Sequence, residues 1–175
     1  PSDAVSKGIA LVPEDRKKHG IIGEMTVLDN LTLSTLKKLS KVAIDRKAQR
    51  EYAQSQVDAM GIKTPSLKQK VRNLSGGNQQ KVILGRWLGA NPEILIFDEP
   101  TRGIDVGAKA EIYKLMTQLV EEGKSIIMIS SVMSELLGMS DRLVILAKGR
   151  YTGTLDASEF SQETVLKYSS GGVKK

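Results

Sequence analysis

Two stretches of this sequence combine residue types that can handle a phosphate and a water molecule. In Ile94-Leu95-Ile96-Phe97-Asp98-Glu99-Pro100-Thr101 an apolar run ends in adjacent carboxylates. A continuous apolar run is the mark of a parallel strand covered on both faces. In open α/β sheets the ligand sits beyond the carboxyl ends of such strands. There one carboxylate can hold Mg2+ through its waters while the other orients or deprotonates an attacking water. Read alone, the same tip also fits a capped strand end with two solvated acids. In Leu74-Ser75-Gly76-Gly77-Asn78-Gln79-Gln80, Ser75 stands at a helix N-terminus beside two glycines. Glycines let a phosphate approach the backbone, and the helix dipole favours an anion there. Alone, this stretch equally fits a glycine-containing cap at a loop–helix junction.

The elements that position these residues follow from pattern. Gly8–Pro13 reads as a short buried strand stopped by Pro13, followed by a polar loop from Glu14 to Gly23. Thr26 is a helix N-cap ahead of Val27, Leu28, Leu31 and Leu33. Asp45 caps a helix to Met60, with Tyr52, Ala53, Val57 and Met60 as its stripe and Gly61 as its stop. Pro65–Asn73 reads as a loop. Ser75 opens a helix that turns Val82, Ile83, Trp87 and Leu88 inward and closes at Asn91-Pro92. After the Ile94–Phe97 strand, Ala108, Ile112, Leu115 and Leu119 recur at helical spacing up to Gly123. Ile126–Ile129 is a second buried strand, a short helix lies near Ser134–Gly138, and Leu143–Leu146 is a third strand. Gly149 and Gly153 bracket a hairpin or short edge strand, and Ser169–Lys175 reads as a disordered tail. The strand–helix–strand–helix–strand order predicts an α/β layer with right-handed crossovers.

Composition narrows the chemistry. The 175 residues include no Cys and a single His, His19, which reads as a surface residue. Disulfide scaffolds, zinc–thiolate sites, iron–sulfur clusters and multi-histidine metal sites are excluded. The longest apolar run, Leu143–Ala147, falls far short of the ~20 residues of a membrane helix. The formal charge of +6 is dispersed, and its tightest run, Arg16-Lys17-Lys18, follows Glu14-Asp15 directly. That is a solvated basic surface, with none of the aromatic interleaving of single-strand nucleic-acid binders.

Leu74–Gln80 followed about twenty residues on by Ile94–Glu99 resembles the nucleotide-binding domain of ATP-binding-cassette (ABC) proteins. Leu74–Gln80 looks like the signature motif, Ile94–Glu99 like Walker B, and Thr101-Arg102-Gly103-Ile104-Asp105 like the D-loop; Leu143–Lys148 matches the late core strand. Val12-Pro13-Glu14-Asp15-Arg16-Lys17, Asn78-Gln79-Gln80-Lys81 and Glu99–Lys109 further resemble the second cassette of the tandem ATPases of bacterial monosaccharide importers, the ribose and methyl-galactoside systems above all. The resemblance implies an α/β fold: a partial P-loop NTPase core of ABC type with a parallel sheet and an inserted helical subdomain. It divides the chain into a Q-loop region (1–23), the helical subdomain (24–73), the signature, Walker B, D-loop and H-loop core (74–155), and a C-terminal segment with a flexible tail (156–175).

Three features depart from the family pattern. Gly123-Lys124-Ser125 is the only Gly-Lys-Ser/Thr, and Gln118 occupies the glycine a phosphate loop needs. The phosphate loop is therefore expected before Pro1, with this chain a C-terminal segment that begins after Walker A. Without that strand, apolar edges and faces are expected to be exposed. Without the phosphate-binding lysine, the isolated segment is expected to bind ATP weakly and hydrolyse none. Glu14 stands where most cassettes carry the Q-loop Gln, and Ser131 where most carry the H-loop His.

The resemblance assigns roles residue by residue. Leu74, Ser75, Gly76, Gly77, Asn78 and Gln79 would complete the ATP site of a partner cassette packed head-to-tail, on the same full-length chain. Asp98 would hold Mg2+ through water, Glu99 would be the general base, and Ser131 would stand by the γ-phosphate. Glu14 would face Mg2+ or its water, and Asp105 would couple the two sites. Closure around ATP would drive transmembrane permease subunits docked on the helical subdomain and power sugar import at the cytoplasmic face of the bacterial membrane. The chain itself would contact neither sugar nor nucleic acid. Two other readings stay open: a non-catalytic half that only donates its signature motif, and the C-terminal ATPase lobe of an SMC/Rad-type chromosome protein. Residues 31–60 lack the sustained heptads expected of the latter.

Overall fold

The computed structural model describes residues 1–36, 39 and 43–172. Of the expected helical subdomain, 37, 38 and 40–42 lie outside the described residues, as does the end of the tail, 173–175. Two compact units are present, Pro1–Ile127 and Met128–Lys175.

The first unit opens with a short helix α1 (Ser2–Ser6), which the sequence pattern did not predict, and strand β1 (Ile9–Val12). The polar loop after β1 contains one turn of π-helix, Arg16–Gly20, capped by the Asp15 carboxylate, which accepts from the N–H groups of Lys17 and Lys18. Helix α2 (Val27–Thr32) starts where Thr26 Oγ1 accepts the Asp29 N–H, and α3 (Arg46–Met60) where Asp45 accepts from Lys47 and Ala48. Both N-caps are the ones their short oxygen-bearing side chains predict. Helix α3 ends at Gly61, whose φ of 58° closes the helix in the left-handed conformation. Helix α4 (Gly76–Leu88) is the buried spine of the unit, with Val82, Ile83 and Leu84 fully enclosed; Trp87 and Leu88 are only half-buried. Strand β2 (Ile94–Asp98) and helix α5 (Val106–Glu121) follow.

Strands β1 and β2 pair in parallel, Ala10 against Leu95 and Val12 against Phe97. These four side chains are buried and form the covered face of the sheet. The three-stranded order is β1-β2-β3, with β3 spanning Ser125–Ile129. The parallel α/β core thus matches its expectation. Strand β3 does not fit the picture of a strand covered on both faces, because Ile127 is 52% and Ile129 49% exposed. Leu11 of β1 is exposed as well.

The second unit contains α6 (Met133–Met139), β4 (Arg142–Ala147), β5 (Arg150–Asp156) and α7 (Gln162–Ser169). The third strand of the expected parallel layer needs correcting. Strand β4 pairs antiparallel with β5 in a separate two-stranded sheet. Its side chains alternate between exposed and buried, which suits a sheet covered on one face. The turn is Lys148-Gly149, both with positive φ, the arrangement that matches strand twist in a two-residue hairpin. Leu143, Ile145, Leu155 and Val165 make the core of this unit. Ser169, read as the start of a disordered tail, is the last residue of α7. Among the described residues no helix is long and apolar enough to cross a membrane.

Candidate functional site

Strand β2 delivers Asp98 and Glu99 half-buried to its carboxyl end. Glu99 adopts φ 46°, the left-handed region that costs a side-chain-bearing residue roughly 1–2 kcal/mol. The chain turns at once: the Arg102 N–H donates to the Glu99 carbonyl, and Thr101 between them is 2% exposed. Neither the Asp98 nor the Glu99 carboxylate has an ion-pair or hydrogen-bond partner among the described residues. Half-buried carboxylates without partners are costly unless something else satisfies them. Their hard oxygen donors suit Mg2+, which keeps most of its waters and takes only one or two protein carboxylates. No cluster of three or more candidate metal ligands occurs among the described residues.

The start of α4 gives the residues expected to form a signature motif different surroundings. Ser75 is the N-cap and is exposed. Its Oγ accepts from Asn78 Nδ2 at 2.9 Å and, at 3.5 Å, from the Asn78 N–H. With both lone pairs engaged, its own proton is left to donate outward, to an acceptor-only group such as a phosphate oxygen. Asn78 also accepts the Lys63 N–H at 2.8 Å, tying this hydroxyl to the end of the α3 region. Leu74 is half-buried, and its carbonyl is one of those that Gln79 Nε2 reaches inside the protein, at 3.1 Å. Gln79 is 5% exposed, so its amide serves the turn before α4. Gly77 is buried, and a Cβ there would lie 2.5 Å from the Cβ of Ala108 on α5. Its small size is used for helix packing. Gly76 is more open, its would-be Cβ 3.1 Å from both Arg16 Nη2 and the Gly103 carbonyl.

Glu14 faces the loop after β2, where Arg102 Nη1 pairs with its carboxylate. Asp105 is the N-cap of α5, its Oδ1 accepting the Ala108 N–H at 2.9 Å. In the second unit Ser131 is exposed, while its neighbour Ser130 donates to Glu135 at 2.9 Å and accepts the Val132 N–H. His19 is exposed, as its reading as a surface residue requires. Two residues quoted in the sequence motifs had been given no role of their own. Arg16 donates to the carbonyls of Arg102 and Gly103, and Arg102 closes on Glu14. The one available signal was their charge next to residues already singled out.

The structure thus holds a parallel strand ending in two carboxylates without protein partners among the described residues, and a helix started by Ser75 and two glycines. The chain belongs to the ABC transporter family, whose model, described as ABC transporter, matches residues 1–102. It is 49% identical over 170 residues to the xylose import ATP-binding protein XylG of Moorella thermoacetica, covering 97% of this chain and 34% of that protein. It is equally 49% identical over 172 residues, with the same coverage, to the ribose import ATP-binding protein RbsA of Clostridium perfringens. The chain thus spans about a third of the length of these relatives. The fold is shared with the cassette MJ1267 (TM-score 0.77, 22% identity, 98% of this chain and 72% of that one). It is shared too with MJ0796, solved as a dimer bound to ADP and Pi (TM-score 0.73, 24% identity, 91% and 69%). The named relatives are import ATP-binding proteins, and the chromosome-protein alternative finds no support in them.

Proposed function

We propose that this chain is the signature- and Walker B-bearing part of an ATPase cassette that powers uptake of a monosaccharide of the ribose or xylose class. The reading is carried by the unpaired Asp98–Glu99 pair at the β2 tip of a chain 49% identical to sugar-import ATP-binding proteins. Glu99 would take the proton of the water that attacks the γ-phosphate, and Asp98 would hold Mg2+ through water. When bound, that ion supplies charge neutralisation on the phosphates. Ser75 donates its hydroxyl, and Gly76 and the first N–H groups of α4 present positive ends, to the nucleotide of a partner cassette. In this reading residues 24–73 form the helical subdomain on which membrane subunits dock. The assembly works at the cytoplasmic membrane face without touching the sugar.

A second reading is favoured by the Arg102 partner of Glu14 and by a serine, Ser131, at the H-loop position. In it the chain donates the signature motif while its own Walker B turns over little. The discriminating experiment is ATP hydrolysis and nucleotide binding by the full-length protein, with Glu99→Gln and Ser75→Ala made separately. Hydrolysis at this chain's own site predicts a loss of at least about a hundredfold for Glu99→Gln with ATP binding retained. Signature donation alone predicts loss only for Ser75→Ala. Wild-type turnover in both variants refutes the functional reading altogether.

A further inference from the structure

The turn that follows β1 is seated on α4. A Cβ on Gly20 would lie 2.5 Å from Ile83 Cδ1, and the Ile21 N–H closes the turn on the Arg16 carbonyl at 2.8 Å. From that fixed base the Arg16 guanidinium crosses to the loop after β2. Nη1 donates to the Arg102 carbonyl and Nη2 to the Gly103 carbonyl at 3.2 Å. The two acceptors belong to consecutive residues, and Gly103 has φ 66°, which turns its carbonyl into line beside that of Arg102. The same Nη2 is the atom that a Cβ on Gly76 would meet at 3.1 Å. Arg102, whose main chain is held, sends its own side chain back to Glu14. That ion pair is largely exposed, and exposed pairs contribute little and are screened by salt. The two charge-assisted bonds of Arg16 are the stronger arm. The fork offers its donors from two nitrogens held in one plane, whereas an ammonium offers its donors from a single nitrogen.

We propose that Arg16 is a positioning residue: its guanidinium fixes the 101–105 loop, which carries Asp105, against the first turn of α4, which carries Ser75 and Gly76. The turn after β1, the signature helix start and the D-loop then move as one body, and a displacement of any one is felt by the other two. The assignment of this clamp to ATP turnover rests on the function proposed above.

The test uses the full-length protein with Arg16→Ala and Arg16→Lys. Hydrogen-exchange mass spectrometry reads the clamp without reference to activity. The Arg102 N–H, bonded to the Glu99 carbonyl, and the Ala108 N–H, bonded to Asp105, are its local reporters. In Arg16→Ala, peptides spanning 100–108 exchange at least about tenfold faster, while β2 peptides over 93–98 keep their wild-type rate. Arg16→Lys fails to restore protection, and in both variants kcat for ATP falls with KM unchanged. An unchanged 100–108 exchange, or an equal rise over 93–98, overturns the clamp. Full rescue by Lys overturns the two-carbonyl fork. Faster exchange with unaltered kcat overturns the positioning role. Glu99→Gln run alongside separates the two failures: wild-type hydrolysis there refutes the functional reading, and the exchange result still decides the clamp.

Discussion

Gly77→Ala tests whether the second signature glycine is there for a ligand or for a helix. The added Cβ would stand 2.5 Å from the Ala108 Cβ. Carbon atoms pack at about 3.5–4.0 Å, so α4 and α5 must separate by roughly 1 Å or more. Ala108 has no rotamer with which to yield, so the backbone takes the strain, and overpacking of this kind costs about 1–3 kcal/mol. The better helix propensity of Ala returns up to about 1 kcal/mol. The expected net loss lies between about 0 and 3 kcal/mol, or a lowering of Tm by up to about 12 °C. Ala108→Gly removes the obstructing atom at the cost of about 1 kcal/mol of helix propensity. The double variant is therefore expected to be less destabilised than the two single losses summed, with a coupling energy of about 1–3 kcal/mol. Urea unfolding of the four proteins, followed by fluorescence of Trp87, the single tryptophan and itself on α4, measures the cycle. A coupling energy near zero refutes the packing role and returns Gly77 to the ligand.

Two further outcomes follow from single residues. Glu99→Gly and Glu99→Ala both delete the carboxylate, and in the full-length protein both are expected to lose hydrolysis equally. Only glycine suits φ 46°, so Glu99→Gly unfolds with about 1 kcal/mol more resistance than Glu99→Ala; equal stabilities would remove the strain argument. Glu111 accepts from Lys81 Nζ at 2.7 Å, and Lys81, whose side chain is only 5% exposed, also donates to the Gly61 carbonyl. That hydrogen bond and the Lys81 charge hold the Glu111 carboxyl below its usual pKa of 4.5. Its stabilising contribution is therefore complete above pH 4.5 and is lost as the pH falls through and below that value. Since Glu111 is 47% exposed, the stability difference between wild type and Glu111→Gln is expected to be no more than about 1 kcal/mol at pH 7 and to shrink as the pH falls below 4.5. A difference that does not change with pH would assign the pair no titrating role.

What was legible in the sequence is what short-range chemistry decides. Thr26, Asp45 and Ser75 were readable as N-caps or helix starts because a side-chain oxygen satisfies N–H groups two or three residues away. The Ile94–Phe97 run and its acidic tip were readable because a strand with one face buried and the other half-covered leaves little room for polar residues. Contacts across the fold were not readable. Gly77 sits against Ala108, and Arg16 reaches carbonyls 86 and 87 residues away. The left-handed conformation of Glu99 has no local sequence sign, since glycine is the residue expected there. Strand β4 was placed in the parallel layer because helix–strand alternation suggested it. The glycine signal at Gly149 belonged to the hairpin that pairs β4 with β5 instead.

The two functional readings make different demands on these residues. Donating a signature motif requires a rigid α4 start with an exposed hydroxyl donor. Asn78 on Ser75, Ala108 against Gly77 and Arg16 beside Gly76 already supply that rigidity. None of those contacts involves the Glu99 side chain. A half-buried carboxylate with no partner, on a backbone conformation that disfavours any side chain, lowers stability twice over. The signature role gives no reason for either loss, since glycine at this position would relieve both. A water-activating base gives a reason for each. The missing partner leaves its oxygens able to take a proton, and the left-handed turn marks the abrupt end of the strand. On this ground Glu99, rather than the signature helix, is where hydrolysis by this chain and mere donation to a partner part company.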